Sequence, residues 1–200
     1  MNEREDILRR AAEPVRDVSF PPDVPTVCSV GKLMATKGFD RLLSAHRRLL
    51  DERYPHRVCV LGIGEERRKL ERAIRAYGVE DSFLLLGYRD NPYPYVSRSD
   101  VYVCPSRREG FSTAVTEALI LGVPVVSTDC SGARELLGVD NEYGIVVENS
   151  GEGVYRGMKQ MLADPALRAH YAAQAALRGS RFSPEETVRA VEEMLDGLEV

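Results

Sequence analysis

Two hundred residues, 44% of them apolar and 29% charged, are enough for one soluble globular domain with its own hydrophobic core. A net charge of −4, from 27 Lys and Arg against 31 Asp and Glu, gives no footing for nucleic acid as a partner. The start, Met1 to Asp6, is too charged for a secretory signal, and the longest apolar stretch, 118–126, holds a Gly and a Pro and cannot span a bilayer, so a cytoplasmic location is expected.

In chain order, residues 1–12 read as a short charged helix, and 13–25 carry four prolines (Pro14, Pro21, Pro22 and Pro25), a linker composition. Residues 1–23 are therefore expected to be an interdomain linker and short helix. The main domain is expected over 24–180, with a C-terminal helix over 181–200. Strand-like runs cover 24–30, 57–63, 82–87, 100–104, 124–128 and 143–147, most of them apolar on consecutive residues, as strands covered on both faces are. Between the first two, Phe39, Leu42, Leu43, His46, Leu49 and Leu50 recur at three and four, the stripe of a half-buried helix over 39–50. Further helices are expected over 65–77, 112–121 and 132–137. From about 151 to 197 the pattern is helical, with breaks near Asp164-Pro165 and at Ser180. The last helix opens on Ser183-Pro184-Glu185-Glu186, a cap, a first-turn proline and a capping-box glutamate. The alternation predicts an α/β fold: a doubly wound, Rossmann-like parallel sheet of six strands with extra C-terminal helices.

Cys28, Cys59, Cys104 and Cys130 lie far apart with no zinc spacing and no nearby His pair, so they read as buried free thiols and no metal site is expected. His46 falls on an apolar helix face, while His56 and His170 stand isolated; all three read as structural or solvated. Gly62-Ile63-Gly64 falls short of the full dinucleotide fingerprint and reads as a turn.

In a sheet of order 3-2-1-4-5-6, ligands bind beyond the carboxyl ends of the first and fourth strands, where the order reverses. The first strand here runs into Gly31-Lys32 and on to Lys37; the fourth runs into Ser106 and the turn Glu109-Gly110-Phe111, with Ser112-Thr113 opening a helix that carries Glu117. Free N–H groups at that helix start, with two hydroxyls, favour a diphosphate, and Lys32 and Lys37 add the charge to stabilise one as a leaving group. Glu109 is placed to accept from hexose hydroxyls and Glu117 from ribose hydroxyls. These parts point to a nucleotide-sugar site. A glycoside hydrolase using the two glutamates as an acid–base pair is disfavoured, because carboxyls eight residues apart across a turn converge poorly.

Several stretches together resemble the C-terminal, donor-binding half of family 4 retaining glycosyltransferases of GT-B fold. Gly31-Lys32 through Lys37-Gly38 is similar to that family's "GR…KG" loop, Leu86 to Tyr93 to its base-binding segment, and Glu109 through Glu117 to its E-x7-E signature; Gly122-Val123-Pro124 and Thr128-Asp129-Cys130-Ser131-Gly132 resemble the segments that follow. The resemblance implies transfer of a hexose from a nucleotide diphosphate, a UDP-sugar by preference, to a hydroxyl in surface polysaccharide or glycoconjugate synthesis. It assigns Lys32, Lys37 and Glu109 to catalysis and Gly31, Tyr88, Arg89, Phe111, Ser112, Thr113 and Glu117 to donor binding, with no metal and no cofactor. It also implies a missing N-terminal acceptor domain, peripheral membrane association of the full enzyme, and no transfer by this piece alone. Two departures stand out: Lys32 occupies a position where the family usually has Arg, which reduces a bidentate phosphate contact to a point charge, and no acceptor half is present. The alternative is a nucleotide-sugar binding module that never catalyses.

Overall fold

A computed structural model describes residues 3–182. Six parallel strands form one sheet in the order β3-β2-β1-β4-β5-β6. They are β1 (Thr26–Val30), β2 (Arg57–Leu61), β3 (Phe83–Gly87), β4 (Val101–Cys104), β5 (Val125–Thr128) and β6 (Ile145–Val147). The consecutive apolar runs are explained by two cores. Side chains alternate across a strand, so Val58 and Val60 enter one core and Cys59 and Leu61 the other; Val101 and Val103 oppose Tyr102 and Cys104 in the same way.

The first core is closed by α2 (Phe39–Asp51), α3 (Arg67–Tyr77) and α7 (Gly151–Ala163), which contribute Leu42, Leu49, Leu70 and Met158. The second is closed by α5 (Thr113–Ile120), α6 (Ala133–Leu137) and α8 (Pro165–Ser180), through Val115, Leu119, Leu136 and Ala175. Asp164 ends α7 and caps α8, its carboxylate accepting from Leu167 N at 3.0 Å, which is the break expected at Asp164-Pro165. The expected last helix opening at Ser183 lies outside the described residues.

One helix has no counterpart in the sequence reading: α4 (Tyr93–Ser97), five residues containing Pro94 and preceded by Pro92. Proline is tolerated in a first turn, where its missing N–H has no helical partner, and a helix this short consists almost entirely of first turn. Before the sheet, α1 (Glu3–Ala11) buries Ile7 and Ala11 against α4 and α5. The proline-bearing stretch after it is pinned at Asp17, which accepts from Arg89 at 2.6 Å and from the Tyr95 hydroxyl at 2.8 Å.

His56 is not isolated, contrary to the sequence expectation. Its Nε2 lies 2.7 Å from His46 Nδ1, its Nδ1 lies 2.8 Å from the Tyr54 carbonyl, and His46 Nε2 lies 2.8 Å from Ser82 Oγ. A carbonyl only accepts, so His56 donates through Nδ1, which makes its Nε2 the acceptor for His46 Nδ1–H and leaves His46 Nε2 to accept from Ser82. Both rings are buried and neutral. Burial, reinforced by the cost of charging His46 beside His56 and by the Arg47 charge, holds His46 down at about 3, and burial also lowers His56. Unfolded histidines take up protons below about 6.5 while these do not, so the pair stabilises the fold fully above that pH and loses its contribution as pH falls towards 3. We expect His46 alone to account for about 2 kcal/mol of lost stability at pH 5. Thermal melts at pH 7.5 and pH 5 read this directly, and a His46→Leu/His56→Leu variant should flatten the difference. An equal acid drop in that variant would assign the effect elsewhere.

Candidate active site

The sheet's winding reverses between β1 and β4, and there the two strands part. They pair only at Val27 with Val101 and Cys28 with Tyr102. Beyond that, hydroxyls replace the ladder: Ser29 Oγ donates to the Val103 carbonyl at 2.7 Å, and the Tyr102 hydroxyl lies 3.3 Å from both the N and the O of Val30. The splayed ends open a cleft of about 450 Å³. Gly31, Lys32, Lys37, Glu109, Phe111, Ser112, Thr113 and Glu117 all line it.

Lys37 ends a short 3-10 turn, and Gly38 then takes a left-handed conformation (φ 70°) that packs the loop directly on the end of β4. This sets the Lys37 ammonium against Glu109, 2.9 Å from Oε1 and 2.7 Å from Oε2. Ser106 Oγ donates to the same Oε2 at 2.9 Å. Ser106 is itself buried, and its carbonyl accepts from Thr128 Oγ1 at 2.6 Å and from Cys130 Sγ at 3.2 Å. A carboxylate held by an ammonium and a buried hydroxyl has little rotational freedom left. Lys32 stands exposed at the mouth and makes no ion pair among the described residues, so its charge is free for an anion.

Phe111 projects half-exposed at the turn before α5. Ser112 also caps α5: its oxygen accepts from Val115 N at 3.3 Å. Accepting leaves its own O–H to donate, so an anion here meets that hydroxyl, the remaining first-turn N–H groups and the positive end of the helix dipole. One turn on, Glu117 Oε1 accepts from the Tyr93 hydroxyl at 3.1 Å. Burial raises the Glu117 carboxyl above its ordinary range, against the pull of that hydrogen bond, while burial and the neighbouring carboxylate push the Tyr93 phenol up to about 12.

Tyr88 and Arg89 do not enter this cleft. They line a mainly apolar pocket of about 350 Å³ beside it, which shares Val30, Gly31 and Lys32 and adds Leu61, Gly62 and Ile63. Tyr88 is exposed, whereas the Arg89 guanidinium is engaged by Asp17 and by the Tyr95 hydroxyl at 3.0 Å. Gly62 is needed where it stands, since a Cβ there would lie 1.9 Å from the Gly31 carbonyl; the bare backbone is what lets the ends of β1 and β2 close this wall. On the far side of the Lys37–Glu109 pair lies an outer hollow of about 620 Å³, with Arg107, Arg108, Asp129, Cys130, Ser131 and Asn149 on its walls. Cys130 is only half-buried there, unlike the other three cysteines.

Tyr93, Ser106 and Thr128 were not singled out from the sequence as site residues. All three fall inside motifs that drew attention for other positions, but their partners lie across the fold, and nothing local in the sequence pairs them. Among the described residues no group of His, Cys, Asp and Glu is arranged to hold a metal ion, and no helix is long and apolar enough to cross a membrane.

Known proteins share this fold. The family model "Glycosyl transferases group 1" matches residues 13–178. An N-acetylgalactosamine-N,N'-diacetylbacillosaminyl-diphospho-undecaprenol 4-alpha-N-acetylgalactosaminyltransferase of Campylobacter jejuni is 36% identical over 165 residues, covering 82% of this chain and 44% of that protein. Anabaena Alr3699/HepE, solved in complex with UDP, superposes with a TM-score of 0.74 at 21% identity, over 87% of this chain and 49% of that one. The C-terminal domain of a group 1 family glycosyl transferase (LpcC) from Francisella tularensis superposes with a TM-score of 0.70 at 22% identity, over 80% of this chain and 88% of that one. The chain thus spans less than half the length of the curated relative and has the fold of one half of a GT-B glycosyltransferase, and by the family model and the curated relative it belongs to the group 1 glycosyl transferases.

Proposed function

We propose that this domain holds the donor in a retaining transfer of a hexose from a nucleoside diphosphate, with a UDP-sugar as donor class, to a hydroxyl acceptor in polysaccharide or glycoconjugate synthesis. The observation that carries the reading is the convergence of Lys32, Lys37 and the start of α5 on one switch-point cleft whose lining also includes Glu117. In this reading the diphosphate lies across the start of α5. Lys32 and Lys37 stabilise the charge that develops as the sugar leaves, which makes the transfer metal-independent. Glu109, oriented by Lys37 and Ser106, accepts from sugar hydroxyls; Glu117 accepts from the ribose. The base lies in the apolar pocket that holds Tyr88. The name of the Campylobacter relative, a transferase acting on a polyprenol-linked glycan, and the UDP held by the Anabaena protein support the acceptor class and the donor class.

Sugar transfer needs an acceptor site as well, and this chain covers 44% of its relative, so the domain alone is expected to bind donor without turning it over. Calorimetric titration with UDP, GDP and ADP tests the reading. One nucleotide, expected to be UDP, should bind in preference to the others, and Glu117→Ala should weaken it roughly tenfold. Failure of all three to bind would sink the proposal.

A further inference from the structure

Glu117 has three rotatable side-chain bonds and sits half-buried on α5, where the hydrogen bond from the Tyr93 hydroxyl at 3.1 Å fixes one of its two oxygens. Tyr93 is fixed from its other side by α1. The Arg10 guanidinium lies over its ring at 5.2 Å and also donates to the Asp90 carbonyl at 2.9 Å, while Asn91 Nδ2 donates back to the Arg10 carbonyl at 2.9 Å. Arg98, at the end of α4, donates to the carbonyls of Ala11 and Glu13 at 3.2 and 3.0 Å. The segment ahead of the sheet is thus fastened to the loop and helix that carry Tyr93, and through Tyr93 it reaches a carboxylate that lines the cleft.

We infer that Tyr93 is a positioning residue for ribose recognition: its hydroxyl holds Glu117 Oε1, leaving Oε2 to accept from the nucleotide ribose, and Arg10 of α1 backs the Tyr93 ring. This rests on the nucleotide-sugar reading above and deepens it. A hydrogen bond from a phenol to a carboxylate favours the ionised form, and only the ionised form offers Oε2 as a strong acceptor to a sugar hydroxyl. The groups facing Glu117 are Tyr93 on α4, Glu3 and Arg10 on α1, and Tyr102 on β4; burial and Glu3 favour the neutral acid, while Tyr93 and Arg10 favour the carboxylate. Removing the Tyr93 hydroxyl therefore loosens the side chain and moves its titration to higher pH.

The test is calorimetry on this chain from pH 5 to 8, using the best binder among UDP, GDP and ADP together with its 2′,3′-dideoxy analogue. Tyr93→Phe keeps the ring under Arg10 and should weaken the ribonucleotide about fivefold to tenfold, leave the dideoxy analogue unchanged, and shift the acid limb of ribonucleotide binding upward. Arg10→Ala should move both readouts the same way by less. In a Glu117→Gln background the acid limb of the ribonucleotide should shrink to that of the dideoxy analogue, which reports the ligand's own phosphate titrating at about 6, and Tyr93→Phe should cost nothing further. Equal weakening of both nucleotides would show a purely structural tyrosine and overturn the inference, as would an unmoved acid limb. If the unaltered chain binds none of the three nucleotides, the parent reading fails and takes this one with it. Thermal melts of each variant separate unfolding from a lost contact.

Discussion

Lys37→Met is expected to weaken nucleoside diphosphate binding by about 10- to 100-fold, more than any other single side-chain change in the cleft. Two effects act together. In the proposed binding mode the ammonium facing the diphosphate disappears, and Glu109, which it had neutralised through contacts at 2.7 and 2.9 Å, is left as a carboxylate held only by Ser106. A ligand with about two to three negative charges then meets a bare carboxylate in a partly enclosed site, where like charges repel more strongly than at an open surface. Lys37→Met/Glu109→Gln should therefore recover part of the affinity lost in the single variant. Lys32→Met, by contrast, removes an exposed and screened charge, and its effect should be small and fade at high ionic strength. Calorimetry on the three variants at low and high salt measures each contribution. A double variant as weak as Lys37→Met alone would show that Glu109 does not feel the diphosphate.

The sheet was legible because burial on both faces leaves a mark in the sequence. Runs such as Arg57–Leu61 and Val125–Thr128 feed two cores at once and so lose the polar alternation of a one-sided strand. Strand order then placed the loops after β1 and β4 side by side, so the loops that carry Lys37 and Glu109 were legible as neighbours, whereas the ion pair between the two side chains, 72 residues apart, was not. What stayed hidden has a common cause. Ser106 is held by Thr128, 22 residues on, Glu117 by Tyr93, 24 residues back, and Arg89 by Asp17 across 72. Each is a side-chain contact between elements, and strand order brings elements together without specifying which side chains meet. The His46–His56 bond was hidden for the opposite reason: the two are close in sequence, but only the turn after α2 brings the rings together. Helix α4 escaped because its prolines read as breakers, although in a single turn they have no hydrogen bond to break.

A large expected effect on folding comes from Gly38→Ala, which should cost about 3 kcal/mol and lower the melting temperature by roughly 6–12 °C. Gly38 has φ 70° and ψ 23°, and a Cβ built on it would lie 2.1 Å from the Pro105 carbonyl oxygen and 2.9 Å from its carbon. Both are backbone atoms at the end of β4, so no side chain can swing aside, and relief requires the two loops to separate. Gly78 provides the control. Its φ is 63°, nearly the same strain for a substituted residue, but a Cβ there would meet nothing within 4 Å, so Gly78→Ala should cost only about 1 kcal/mol. The difference between the two variants isolates the clash from the conformational cost. It also carries a functional signature, because Lys37 precedes Gly38 and Ser106 follows Pro105. Prising the loops apart pulls the ammonium away from Glu109 and the hydroxyl that orients it. Gly38→Ala should lose nucleotide affinity well below its melting temperature, whereas Gly78→Ala, at the far end of α3, should keep it. Equal melting losses in the two variants would show that the loops yield freely at Pro105, and the close packing of the two loops would then not be what holds the Lys37–Glu109 pair together.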